Sequence, residues 1–369
     1  MKARARAPKD WRRAFAGKTV LVTGHTGFKG SWLSLMLHDM GARVVGYALA
    51  PDTRPSLFKQ LRLDALVDSR LGDIRDAKRL CAVARQTKPE VVFHLAAQPL
   101  VRRSYKIPAE TFAVNVCGTA HALDAARLCG ARAVVAVTTD KCYENLETGR
   151  AYLESDRLGG HDPYSASKAC AELTVASYRD SFFSAPGEAA VATARAGNVI
   201  GGGDWADDRI LPDAARALGA GKALIVRNPN SVRPWQHVLE PLTGYLMLAA
   251  RLLSDGADFA EAWNFGPVKS DALTVAEIAE LAVKTWGGGR WQSRPQARAP
   301  HEAGLLSLDS DKARRRLGWK PVYGAALAVE KTVAWYRAAR ERGFDARAFT
   351  RAQIAEYLTA STARREDRS

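Results

Sequence analysis

The run Tyr164-Ser165-Ala166-Ser167-Lys168 sets a phenol and an amine four residues apart. Asp162 suits a helix N-cap and Pro163 the first helical position, so the two side chains should lie on one helix face, a turn apart. A free phenol titrates at about 10, too high for a base at neutral pH. One ammonium ~4 Å away, at an effective dielectric of about 20, contributes roughly 4 kcal/mol, or about three pKa units. A tyrosinate stabilised in this way can act as a general acid/base. The same spacing also describes an ordinary helix with a surface lysine. It acquires chemical meaning only if the chain supplies a hydride acceptor and a substrate.

Lys18 to Thr23 is a short β-branched apolar run, the pattern of a buried parallel strand. It ends in Gly24-His25-Thr26-Gly27-Phe28-Lys29-Gly30, which opens an apolar helical pattern through Met40, and Arg43 to Ala48 follows as a second strand. Glycines between a strand and a helix let the backbone approach a pyrophosphate, and the helix N-terminus supplies donors and partial positive charge. This is a dinucleotide site spaced G-x-x-G-x-x-G. Lys29 can either contact a phosphate or project to solvent. The second strand ends in Tyr47-Ala48-Leu49-Ala50-Pro51-Asp52, with no acid at the usual place for the adenosine ribose, so NAD and NADP are both open here.

Further strands at 66–71, 90–95, 131–137 and 189–194 alternate with helices, the rhythm of an α/β, Rossmann-type doubly wound parallel sheet. Ligands of such sheets bind at the carboxyl ends of the strands. Those ends carry Gly72-Asp73-Ile74, Ala96-Ala97-Gln98 and Thr138-Thr139-Asp140-Lys141. Asp73 is placed to meet an adenine amino group, and Ala96 and Ala97 leave room for a flat cofactor. Each of these also suits a turn or packing role. The reading gives a dinucleotide-binding domain over 17–195 with a returning segment at 235–262, and a smaller C-terminal substrate-binding lobe from 196–234 and 263–345. Helices are expected over 239–254, 274–286 and 325–340, and basic or charged tails at 1–16 and 354–369.

At 369 residues, 47% of them hydrophobic, the chain can bury a substantial core. No apolar run is long enough to span a bilayer, and the basic N-terminus lacks the apolar core of a signal peptide. Five scattered cysteines without a C-x-x-C pair imply reduced thiols in a cytoplasmic protein and no metal site. The net charge of +15 is spread along the chain without a nucleic-acid motif, so no nucleic-acid partner is expected. A positive field also attracts an anionic nucleotide sugar.

With these blocks the chain resembles the extended short-chain dehydrogenase/reductases acting on nucleotide sugars, and among them the CDP-glucose 4,6-dehydratase family. The resemblance runs from about residue 17 to about 340. It is carried by 23–32, 94–102, Asp140-Lys141-Cys142-Tyr143, 195–205, 233–241 and 263–267. It implies NAD as cofactor, CDP-glucose as substrate, CDP-4-keto-6-deoxyglucose as product, a place in bacterial deoxysugar and O-antigen synthesis, and a homodimer or homotetramer paired through the Tyr164 helix. It implies cofactor contacts from Gly24 to Gly30 and from Asp73, Ile74, Ala96, Ala97, Gln98, Asn115, Tyr164 and Lys168. Substrate contacts are implied for Gln98, Arg195, Asn198, Arg227 and Arg233, the last two as pyrophosphate clamps, since a guanidinium fork fits phosphate oxygens.

Thr139 would hydrogen-bond the C4 oxygen and Asp140 would donate to the C6 oxygen. Relatives acting on dTDP- or GDP-sugars carry Glu where this chain has Lys141, which either serves as the C5 base or orients Asp140. His301-Glu302 stands where relatives bind ribose and phosphate, but the usual following arginine is missing, so neither is assigned. An NAD-dependent epimerase needs the same Tyr and Lys but no acid to expel water, and an NAD-binding scaffold needs neither.

Overall fold

The computed structural model describes residues 10–268, 271–294 and 305–366. β1 (Thr19–Thr23), α1 (Phe28–Asp39) and β2 (Arg43–Ala48) form the first β-α-β unit, followed by the single-turn α2 (Leu57–Gln60), β3 (Asp68–Leu71), α3 (Ala77–Thr87) and β4 (Val91–His94). Short helices α4 (Val101–Lys106) and α5 (Pro108–Phe112) lead to α6 (Gly118–Cys129), β5 (Ala133–Val137), α7 (Pro163–Phe182) and β6 (Ala190–Ala196). Then come β7 (Val199–Ile200), α8 (Ile210–Gly219), β8 (Leu224–Val226), β9 (Val232–Pro234), β10 (Gln236–His237) and α9 (Leu239–Asp255). The chain finishes with β11 (Ala262–Phe265), β12 (Ala272–Thr274), α10 (Val275–Trp286), β13 (Trp291–Ser293), α11 (Ala325–Ala338) and α12 (Ala346–Glu366).

Seven strands form one sheet in the order β11-β6-β5-β4-β1-β2-β3, with every pairing parallel. Alternate residues of each strand feed two cores. Val20, Val22, Phe93 and Val135 pack with Trp32, Leu33 and Leu35 of α1 and with α9. Leu21, Val92, Val134 and Val191 pack with α3, α6 and Val175 of α7. Both faces are covered, which is why these strands read as continuous apolar runs. Strand order reverses between β1 and β4, where Thr23 lies in register with Tyr47 on one side and His94 on the other. In sheets of this kind the ligand crevice lies at such a reversal, beyond the carboxyl ends. Beyond it lie three two-stranded pieces, β10-β7, β12-β9 and β13-β8.

Three boundaries differ from the sequence expectation. Residues 10–16 are not a frayed tail, because Trp11 and Phe15 sit on a short 3-10 helix inside the main core. Trp263 to Phe265 belong to the sheet as part of β11, which pairs with β6, and not to the second lobe. The C-terminal stretch from 354 is helical to Glu366, with Ile354 and Tyr357 buried in the core. Its amphipathic spacing is hidden in the sequence by a high content of charge.

One buried carboxylate ties these late elements together. Glu240, at the start of α9, accepts from the backbone N–H of Val322 at 3.0 Å and of Tyr323 at 2.7 Å, and from the Tyr357 hydroxyl at 2.6 Å. A hydrogen bond to a buried charged acceptor contributes about 1.5–3 kcal/mol. We therefore expect Tyr357→Phe, which keeps the ring and removes the donor, to lower unfolding stability by about 1–3 kcal/mol in urea titration. An unchanged midpoint would show that α12 is not held through Glu240.

Candidate active site

The loop after β1 is shaped by contacts that only glycine allows. Gly24 has φ +77°, and a Cβ there would stand 2.8 Å from the Ala96 nitrogen. A Cβ on Gly30 would meet the Gly24 carbonyl oxygen at 2.1 Å, so α1 starts hard against the loop. Gly27 caps α1 without a side chain, leaving first-turn N–H groups for an anion. Thr26 is spent internally, its hydroxyl donating to the Leu49 carbonyl at 2.8 Å. Ile74 is buried beside Gly118, and Ala96 and Ala97 are half-buried at the end of β4. Asp73 is held by Arg75 at 2.6 Å, which lowers its carboxyl pKa.

His25 is a correction. Its imidazole is fully buried, pairs Nε2 with the Ser69 hydroxyl at 2.7 Å and packs edge-on against Phe58. It covers Gly46 of β2, where a Cβ would meet the ring at 2.3 Å. Burial pushes its pKa down to about 4, so its side chain is a neutral wedge under the loop and not the cofactor contact expected of it.

The chemical groups gather past β5. Asp162 caps α7, accepting from the Ser165 N–H at 3.0 Å with Pro163 in the first turn, as the sequence predicts. Tyr164 and Lys168 follow on that helix, 7% and 5% exposed. The Lys168 ammonium donates to the Val137 carbonyl at 3.2 Å, and Thr139 lies close enough to Tyr164 to favour its ionised form. Thr139 caps the turn Asp140–Cys142, and its hydroxyl donates to Asp140 Oδ1 at 2.9 Å. Lys141 Nζ lies 3.1 Å from that same oxygen and 3.3 Å from Asn198 Oδ1. Asp140 Oδ2 is buried without a partner. It faces Gly197, where a Cβ would stand 3.3 Å from it and 2.7 Å from Pro234 Cγ. The turn after β5, the segment after β6 and β9 with Arg233 therefore meet at one acid.

Electrostatics here depart from the sequence argument. Burial raises the Tyr164 pKa, with the Thr139 hydrogen bond and the Arg209 guanidinium acting in the opposite sense. Burial likewise lowers Lys168 to about 8. The expected large depression of the phenol by Lys168 is absent, because the low dielectric that would strengthen their attraction penalises both charges first.

Several assigned side chains are committed elsewhere. The Gln98 amide donates to the Leu100 carbonyl and to Thr111, both at 3.1 Å, and its oxygen accepts from the Leu100 N–H at 2.7 Å. Asn115 accepts from the Gln98 N–H at 2.9 Å and donates to Ser167 on α7 at 2.8 Å. Gln98 ties the β4 loop to α5 and Asn115 ties it to the Tyr164 helix, so both side chains are spent within the protein. Arg195 is corrected in the same way. It is buried against Glu172 at 2.7 Å and the Tyr143 hydroxyl at 2.7 Å, so its charge is spent inside the protein. Arg227 is held by Asp208 on the rim, and Arg233 donates to the Val232 carbonyl at 3.0 Å. His301 and Glu302 lie outside the described residues.

Three residues near this edge were missed. Arg209 pairs with Asp204 at 2.7 Å and acts on Tyr164 and Lys29. It lies only a few residues past the Gly201–Trp205 block, and that closeness was its one signal. Tyr245 of α9 carries a buried hydroxyl without a partner, with Lys29 5.9 Å from its ring centroid. Glu172 stands one turn beyond Lys168 on α7, and nothing in the sequence names its distant partners. Among the described residues no cluster of side chains could hold a metal ion.

A parallel dinucleotide-binding sheet whose carboxyl edge carries Thr139-Asp140-Lys141 against Tyr164 and Lys168 defines an extended short-chain dehydrogenase/reductase. More narrowly, the chain belongs to the GDP-mannose 4,6-dehydratase family, whose sequence profile matches residues 21–332. It is 49% identical over 351 residues to the CDP-glucose 4,6-dehydratase of Salmonella typhimurium, covering 94% of this chain and 98% of that one. Against a dTDP-glucose 4,6-dehydratase of Streptomyces griseus it is 30% identical, covering 86% of this chain and 93% of the relative. The solved dTDP-glucose 4,6-dehydratase of Streptomyces venezuelae, with NAD bound, superposes with a TM-score of 0.76 at 28% identity, covering 87% of this chain and 98% of that one.

Lys29 yields a pH prediction. Burial, with Arg209 and Lys168 nearby, lowers it from 10.5 to about 7. Below pH 7 the folded protein carries this buried charge at full cost, and the cost disappears as pH rises through the ordinary lysine value. Lys29→Met should therefore exceed the parent in stability by about 1–3 kcal/mol at pH 6. The gap should close toward pH 10, followed by denaturant midpoints. A pH-independent difference would contradict the buried charge.

Proposed function

We propose that this chain converts CDP-glucose to CDP-4-keto-6-deoxyglucose and water, using NAD. The observation that carries this reading is Asp140, a buried acid in the turn that also brings Thr139 to Tyr164, with one oxygen uncommitted. A 4-epimerase needs no such acid. The near full-length similarity to the Salmonella CDP-glucose 4,6-dehydratase supports the choice of sugar nucleotide.

The loop fits a dinucleotide, since Gly24 and Gly30 let it fold tightly against Ala96 and against its own backbone, and the start of α1 carries first-turn N–H groups with no side-chain cap. Bound NAD supplies a hydride acceptor for C4 and gives the same hydride back at C6, ending unchanged. Tyr164 takes the C4 hydroxyl proton while Thr139 holds the same oxygen. Lys168 together with the positive charge of a bound nicotinamide ring would make the phenolate accessible, since the amine alone does not. Asp140 donates to the departing C6 oxygen from Oδ2, the oxygen that receives no hydrogen bond at rest. Lys141, tied to Asp140 and Asn198, takes the C5 proton as a free amine while the C6 oxygen leaves as water, and returns it to C5 as hydride reaches C6. Arg227 and Arg233 are proposed to grip the substrate diphosphate, drawn from their present partners by a doubly charged ligand.

The described residues contain no helix long and apolar enough to cross a membrane. The five free thiols suit the proposed cytoplasmic setting. We also propose pairing of two copies through the outer face of α6 and α7, where Leu128, Leu173 and Phe182 are 44%, 58% and 46% exposed. Isolated leucines are ordinary on a surface, but these three flank one helix pair.

Product is followed by the alkali-induced absorbance of a 4-keto sugar from CDP-glucose with added NAD. Tyr164→Phe and Asp140→Asn should each slow its formation about 10²–10⁴-fold. No keto product from the parent enzyme, or a C4 epimer in its place, would refute the reading. Leu173→Glu with Phe182→Glu should yield a monomer in sedimentation, and an unchanged mass would place the interface elsewhere.

A further inference from the structure

Glu172 stands on α7 one turn after Lys168, 3% exposed. Its Oε2 accepts from Arg195 Nη2 at 2.7 Å and from the Thr193 hydroxyl at 2.8 Å, both on β6. Its Oε1 accepts from the hydroxyl of Thr138, the residue before Thr139. One carboxylate therefore binds the catalytic helix to two neighbouring strands, at the position from which the Thr139-Asp140 turn departs. We infer that Glu172, anchored by Arg195, is a positioning residue that keeps Lys168 charged and fixes the Thr139 turn against Tyr164. The inference rests on the proposed dehydratase reaction.

The charge balance around Lys168 supports it. The titratable groups that interact with its amine are Glu172 on α7, Cys142 in the turn after β5, His94 on β4 and Lys29 at the start of α1. Burial leaves His94 neutral, its pKa pushed down to about 3, and keeps the Cys142 thiol protonated. Lys29 repels. Glu172 is the facing group that carries a negative charge, because Arg195 and the two threonine hydroxyls hold its carboxyl below the ordinary range. A carboxylate one turn along the helix thus offsets part of the desolvation that lowers the amine to about 8.

The test is the titration of Lys168 in the parent protein and in Glu172→Gln, read from side-chain carbon NMR with the resonance assigned by Lys168→Met. The midpoint should fall by about one unit or more in Glu172→Gln, and the alkaline limb of the kcat profile should move down with it. Glu172→Asp, which keeps the charge, should restore most of the shift. Because Glu172→Gln leaves Arg195 unpaired, the double variant Glu172→Gln/Arg195→Gln provides a folded alternative with neither charge, and its midpoint should fall as well. Equal midpoints in the parent and both neutralised variants would overturn the inference. If the parent makes no keto sugar, the proposed reaction fails, while the NMR titration still decides whether Glu172 sets the charge on Lys168.

Discussion

Desolvation is the constraint on which the carboxyl edge of this sheet depends. Tyr164 and Lys168 are buried and Lys29 is half-buried beyond β1 and β5, and each is pushed toward its neutral form. An ion pair in such a place strengthens as the dielectric falls, but the cost of dehydrating two ions rises with it and commonly exceeds the gain. A phenol and an amine a turn apart therefore do not ionise each other unaided. The site instead stores charge where geometry is tightest, in the pair of Glu172 and Arg195 at 2.7 Å, with threonines taking the remaining lone pairs.

That storage gives the site its division of labour. The sheet and the committed side chains supply stiffness: Asn115 clamps the β4 loop to α7, His25 props the glycine loop from below, and Lys141 pins Asp140 from one side. The reactive atoms left uncommitted are few, and Asp140 Oδ2 is the clearest of them. A ligand bringing a diphosphate and a cationic ring would change the local charge in the direction that lets the amine stay protonated and the phenol ionise.

Much of this was legible in the chain. The strand–glycine loop–helix unit, the alternation of later strands and the cap at Asp162 all rest on local spacing, and local spacing survives in three dimensions. What was hidden depended on partners far away in sequence. Arg195 reads as a substrate clamp until α7 delivers Glu172 to it, and Tyr357 reads as part of a charged tail until Glu240 is placed beneath it. Gln98 and Asn115 carry the right groups for ligand contact but spend them on each other's segments. The phenol and amine of α7 differ for another reason: their spacing shows the attraction between them, and only the fold shows the cost of removing both from water.

The account centres on a hydride that leaves C4 and comes back at C6 of the same sugar while Tyr164, Asp140 and Lys141 handle the protons. Supplying CDP-glucose deuterated at C4, with NAD in ordinary water, and locating the label in the product by NMR tests this directly. The account predicts deuterium in the C6 methyl group of the 4-keto product. Label released to solvent, retained at C4 of an epimer, or absent from the methyl group would contradict it.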